Sequence, residues 1–65
     1  MRILVNGVWR DTAAADVDSV LKEMGWSESQ VATALNGEFV PAPARRGMPV
    51  TEGDRIEVLA PMQGG

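Results

Sequence analysis

Two Asn-Gly dipeptides, Asn6-Gly7 and Asn36-Gly37, constrain this chain more than any other feature of its sequence. A two-residue type I′ turn needs positive φ at both positions, and Asn followed by Gly supplies that at low steric cost. Both dipeptides lie between β-forming residues, so the sequence predicts two hairpins. The first pairs Arg2-Ile3-Leu4-Val5 with Val8-Trp9-Arg10-Asp11-Thr12, with Ile3 and Val5 on one face because side chains alternate along a strand. The second pairs Val31-Ala32-Thr33-Ala34-Leu35 with Glu38-Phe39-Val40 and is stopped by Pro41.

A helix is predicted between the hairpins. Asp16 is a good N-cap, and Asp18 puts negative charge in the first turn, where the helix dipole favours it. Val17, Val20, Leu21 and Met24 fall at i, i+3, i+4 and i+7 and form one apolar stripe, expected in the core. Gly25 ends the helix in the left-handed conformation, and Trp26 packs back on it as the following contact. Ser27-Glu28-Ser29-Gln30 has the form of a capping box and opens one short helical turn. From Pro41 to Val50 the prolines and Gly47 predict a loop with little regular structure. Glu52-Gly53-Asp54 reads as a turn. Arg55-Ile56-Glu57-Val58-Leu59-Ala60 reads as the last strand, with Ile56, Val58 and Ala60 on one face and Leu59 on the other.

The predicted order is therefore β-β-α-β-β-β. With 65 residues the chain is near the lower limit for a self-supporting core. One helix across one face of a mixed four- to five-stranded sheet is an economical way to bury a single apolar stripe. The expected class is α+β with a β-grasp arrangement, the first and last strands central and side by side. Residues 1–60 form the domain, and residues 61–65 form a flexible C-terminal tail ending in Gly64-Gly65.

Composition narrows the function. A net charge of −3 argues against nucleic acid as a partner, since binding it requires a clustered basic surface. No apolar run approaches the length of a membrane span, and Met1-Arg2-Ile3-Leu4-Val5 is too short for the apolar region of a signal peptide. A cytoplasmic location is the expectation. The chain has no Cys and no His, which removes thiolate and imidazole chemistry and the usual zinc ligand sets. Nine carboxylates, five arginines and Lys22 remain, on a domain with few places dry enough to tune them. The expectation is a protein that is not itself an enzyme, binds no metal and no cofactor, and is a monomer when free.

The tail supplies the chemistry that the domain lacks. Met62-Gln63-Gly64-Gly65 follow Pro61, and five extended residues reach about 16 Å beyond the sheet. A chance Gly-Gly ending has a probability of about 0.5% at average glycine usage. A terminal carboxylate is ionised at neutral pH and can attack the α-phosphate of ATP, giving an acyl-adenylate open to a nucleophile. Glycine leaves that acyl carbon unhindered and lets the backbone thread a narrow channel. A folded head that recognises partners and a Gly-Gly tail that delivers a reactive carbon make a sensible carrier.

At this point the sequence resembles the ThiS family of sulfur carriers in thiamine biosynthesis, which are ubiquitin-like β-grasp proteins. The resemblance rests on Ile3-Leu4-Val5-Asn6-Gly7, Ala34-Leu35-Asn36-Gly37-Glu38-Phe39-Val40-Pro41, Glu52-Gly53-Asp54-Arg55-Ile56-Glu57-Val58 and the terminal Gly64-Gly65. It spans essentially the whole chain in order and spacing. It implies that a ThiF-type enzyme adenylates the Gly65 carboxylate with ATP and that a persulfide sulfur converts it to a thiocarboxylate. The carrier then donates that sulfur to a ThiG-type thiazole synthase. Related alternatives are the small subunit of molybdopterin synthase, whose chains are longer and lack this first Asn-Gly hairpin, and a ubiquitin-like modifier that joins Gly65 to lysine. An interaction module of the same fold with an inert tail is the alternative from a different class.

Several residues have two readings. Trp9 is expected to pack structurally, since tryptophan is highly buried on average; Trp9 and Trp26 stand outside the family pattern. Arg45-Arg46 is expected to be a solvated loop pair rather than a contact for an acidic partner. Leu59 and Met62 flank the tail, where an exposed apolar patch would suit docking, although Leu59 could equally fill a two-sided central strand.

Overall fold

In the computed structural model, residues 1–26 and 31–60 are described. The predicted turn over Ser27, Glu28, Ser29 and Gln30, and the predicted tail, lie outside the described residues. Both Asn-Gly dipeptides form the expected turns, with φ of 50° and 81° at Asn6 and Gly7 and 51° and 87° at Asn36 and Gly37. Each sets the register of its hairpin. β1 (Arg2–Val5) runs antiparallel to β2 (Val8–Asp11), with Val5 opposite Val8. β3 (Ala32–Leu35) runs antiparallel to β4 (Glu38–Val40), with Leu35 opposite Glu38.

Helix α1 (Val17–Glu23) lies between the hairpins in sequence. The Asp16 carboxylate accepts the Ser19 backbone N–H at 2.8 Å, satisfying one of the donors that a helix start leaves free. At the other end Gly25, at φ 82°, donates to the Lys22 carbonyl and Trp26 donates to the Leu21 carbonyl. This is the Schellman pattern, and Trp26 packs against the core as expected. Val17, Val20 and Leu21 are buried, whereas Met24 is the half-buried C-cap.

β5 (Arg55–Leu59) completes a five-stranded sheet of order β2-β1-β5-β3-β4. The first and last strands are neighbours and run parallel, with Val5 beside Ile56; β5 and β3 are antiparallel. The inward residues Ile3, Val5, Ile56 and Val58 form the core with the α1 stripe, Ala14 and Val50. Ala60 falls outside β5 and is exposed, so the expected inward row stops at Val58.

The segment after Pro41 departs from expectation. Instead of being a loop with little regular structure throughout, it begins with helix α2 (Ala42–Arg45), so the described residues hold two helices. The prolines explain both the misreading and the helix. Pro41 is the N-cap and Pro43 lies in the first turn, where a missing N–H costs no intrahelical bond. Arg45 is half-buried rather than one of a solvated loop pair. Its guanidinium donates to Thr33 Oγ1 at 3.1 Å and to the Val31 carbonyl, tying α2 to β3. Arg46 is exposed.

The N-cap of α1 and the turn before β5 carry an acid-sensitive part of the stability. Hydrogen bonds from the Ser19 and Gly47 backbone hold the Asp16 carboxyl below its ordinary value of 3.8, and Lys22 adds to the effect. The Thr51 backbone N–H at 2.8 Å, with Asn36 and the Thr51 hydroxyl, does the same for Asp54 despite some desolvation. A folded-state pKa below the unfolded one means that the unfolded chain binds more protons. The stabilisation is therefore full above 3.8 and is lost as pH falls through the lower folded values. In urea titrations between about pH 5 and about pH 2, the double variant D16N/D54N is expected to lose less stability than the parent.

Candidate functional site

Among the described residues the helices leave one side of the sheet uncovered. Strand register places Leu4 between Trp9 and Arg55, Ala34 between Glu57 and Phe39, and Leu59 beside Ala32. By alternation these residues all lie on the face opposite Ile3, Val5, Ile56 and Val58. Leu59 is 68% exposed, Phe39 69% and Trp9 51%. The expectation that Trp9 packs into the structure is therefore corrected. β2 is an edge strand with no buried residue, and Trp9 lies on the outer face with the Arg2 guanidinium 5.4 Å from its ring centre.

Leu59 faces away from Ile56 and Val58, as the sequence predicts, and the reading in which it fills a two-sided core is set aside by its exposure. Ala32, Ala34, Phe39, Glu57 and Leu59 line a shallow depression of about 150 Å³. The two alanines form its floor because their side chains are short, and Phe39 and Leu59 stand beside them. Large apolar groups exposed together around a concave surface suit protein contact. Phe39 is the member that sequence reasoning passed over. The two-residue turn at Asn36-Gly37 places Phe39 opposite Ala34, so its face followed from the hairpin register.

The depression adjoins the C-terminal end of β5, the last described element before Met62, Gln63, Gly64 and Gly65. Those four predicted site residues lie outside the described residues. Leu59 is thus the predicted site residue that the structure locates, and it lies six residues before Gly65. Six residues span at most about 20 Å when extended.

The described residues offer little else for chemistry. Among them no group of three or more His, Cys, Asp or Glu side chains could hold a metal ion. Asp16 and Asp54 are shifted towards the ionised form by turn and cap hydrogen bonds, the opposite of what a general acid at neutral pH requires. Among the described residues no helix is long and apolar enough to cross a membrane.

The profile of the ThiS family matches residues 3–65. The chain belongs to the ThiS family. Its fold is also that of solved ThiS structures. The crystal structure of the thiamine biosynthesis protein ThiS from Geobacter metallireducens superposes with a TM-score of 0.82 at 30% identity, covering 100% of both chains. The solution structure of a thiamine biosynthesis protein from the same organism gives 0.79 at 32% identity, covering all of this chain and 88% of the other. Among curated proteins the chain is 33% identical over 66 residues to a thiazole synthase of Paramagnetospirillum magneticum, and it spans only 20% of that protein's length. The β-grasp expected from two hairpins, a helix between them and a final strand is therefore the fold found, with the short α2 added.

Proposed function

We propose that this member of the ThiS family is a sulfur carrier of thiamine biosynthesis and a protein substrate of partner enzymes, not itself an enzyme. The observation that carries the reading is the exposed apolar depression around Leu59 and Phe39 at the end of the strand that leads to Gly64-Gly65. A partner that grips this face holds the Gly65 carboxylate within a tether's length of its own active site. The ThiF-type activating enzyme joins that carboxylate to the α-phosphate of ATP and releases pyrophosphate. A persulfide sulfur then attacks the acyl carbon and expels AMP, and a second thiol breaks the remaining S–S bond to leave the thiocarboxylate. The carrier needs no catalytic side chain for these steps, in keeping with a chain that lacks Cys and His.

A ThiG-type thiazole synthase is the proposed acceptor of the sulfur. The match to a segment of a thiazole synthase supports that partner, because in that relative a stretch like this whole chain shares one polypeptide with a much larger remainder. The site of action is proposed to be the cytoplasm, where ATP is available, and the free carrier is proposed to be a monomer. Complementation tests the pathway. Expressed with its cognate activating enzyme, the chain is expected to restore thiamine-independent growth to a strain lacking its thiazole sulfur carrier. It is expected not to restore a strain lacking the small subunit of molybdopterin synthase. Rescue of only the second strain would overturn the assignment.

A further inference from the structure

The backbone ladder between β1 and β5 stops one step too early to hold Val58. Its last backbone bond runs from the Asn6 N–H to the Ile56 carbonyl at 3.0 Å. Beyond that point β1 turns away into the hairpin, with Asn6 at φ 50°. The N–H and carbonyl of Val58 would then lack partners on that side, and buried backbone groups need them. The Asn6 carboxamide fills the gap. Its Oδ1 accepts the Val58 N–H at 2.8 Å, and its Nδ2 donates to the Val58 carbonyl at 3.1 Å. One side-chain amide thus imitates a strand peptide and extends the pairing of β5. On the other side Val58 and Leu59 pair with Thr33 and Ala32.

We infer that Asn6 is a positioning residue for the carrier reaction, fixing the direction in which the end of β5 leaves the sheet towards Gly65. This inference rests on the carrier reading given above. Without Asn6 the end of β5 is held from one side only, by the pairing of Leu59 with Ala32, and the Val58 peptide groups facing β1 lose their partners. Once the head is docked, a better aimed tether raises the effective concentration of the carboxylate at the partner's active site. Leu59 remains paired to Ala32 without Asn6, so docking itself is preserved.

Asn36 supplies a matched control. It also takes a left-handed φ in a two-residue turn, and its Oδ1 accepts the Arg55 N–H at 2.9 Å, at the end of β5 remote from Gly65. Asn6→Gly and Asn36→Gly each keep the turn and remove one carboxamide. Two readouts on the full chain decide the question. In amide hydrogen exchange of the free protein, N6G is expected to speed exchange at Val58 by about tenfold or more, and N36G to leave Val58 near the parent rate. In thiocarboxylate formation by the activating enzyme, N6G is expected to lower kcat about threefold or more with KM held, and N36G to change neither.

Equal kcat in the two variants, with the parent active, would overturn the positioning role and leave the carrier reading intact. Unchanged exchange at Val58 in N6G would overturn it at the structural level. If the parent forms no thiocarboxylate, the carrier reading fails and the positioning role fails with it.

Discussion

Deleting Gly64 and Gly65 is expected to abolish thiocarboxylate formation while leaving the fold intact. The buried apolar core runs from Ile3 to Val58, so the truncated chain keeps its packing and its unfolding midpoint should hold. What changes is reach. Removing two residues withdraws the terminal carboxylate by about 7 Å at full extension. Reacting atoms must approach to about 3–3.5 Å, and a misplacement of about 1 Å can cost about a hundredfold. The loss should therefore exceed about a hundredfold in kcat/KM, or about 2.7 kcal/mol of transition-state stabilisation. The carboxylate would also belong to Gln63, whose Cβ crowds the acyl carbon. Single-turnover assays with the activating enzyme, beside a thermal melt, separate the two effects. Turnover within tenfold of the parent would show that the Gly-Gly end is inert.

The second large effect is expected at the open face. Leu59→Glu and Phe39→Glu each place a charge in the apolar depression. Centrally buried contacts of this kind commonly account for 2 kcal/mol or more, so affinity for the activating enzyme should fall by about thirtyfold or more. Stability should change much less, by about 1 kcal/mol or less, because both side chains are exposed in the free protein. Leu59 and Phe39 line one depression, so the double variant is expected to fall short of the sum of the two losses. Titration calorimetry against the isolated enzyme reads this directly. Unchanged affinity in both variants would move the docking surface elsewhere on the molecule.

The hairpins were legible because Asn-Gly is a local steric signal that does not depend on tertiary context. The Asp16 cap, the Val17-Val20-Leu21 stripe and the Gly25 stop were legible for the same reason: each is decided within one or two helical turns. Helix α2 was not, since Pro41 and Pro43 suit a first helical turn as well as a loop, and its anchor is a distant bond from Arg45 to Thr33. Trp9 was misjudged because average burial says nothing about which strand is at the edge of a sheet. Its exposed face follows only from its pairing with Leu4 and from the order of the strands. The reach of Asn6 to Val58 spans 52 positions and was invisible for that reason. Of the expected site, Gly64-Gly65 lie outside the described residues, and Leu59 was legible only as an outward-facing residue, since alternation along the last strand sets it opposite Ile56 and Val58. Phe39 and the two alanine positions became a surface only when β3 was placed between β4 and β5.

Intact-protein mass spectrometry of the chain tests the central claim most directly, after incubation with ATP, a competent activating enzyme and a persulfide sulfur source. The account predicts a mass increase equal to replacing one oxygen by sulfur, located by fragmentation at Gly65 and dependent on ATP. An unchanged mass, with the same enzyme shown to act on another carrier, would contradict it.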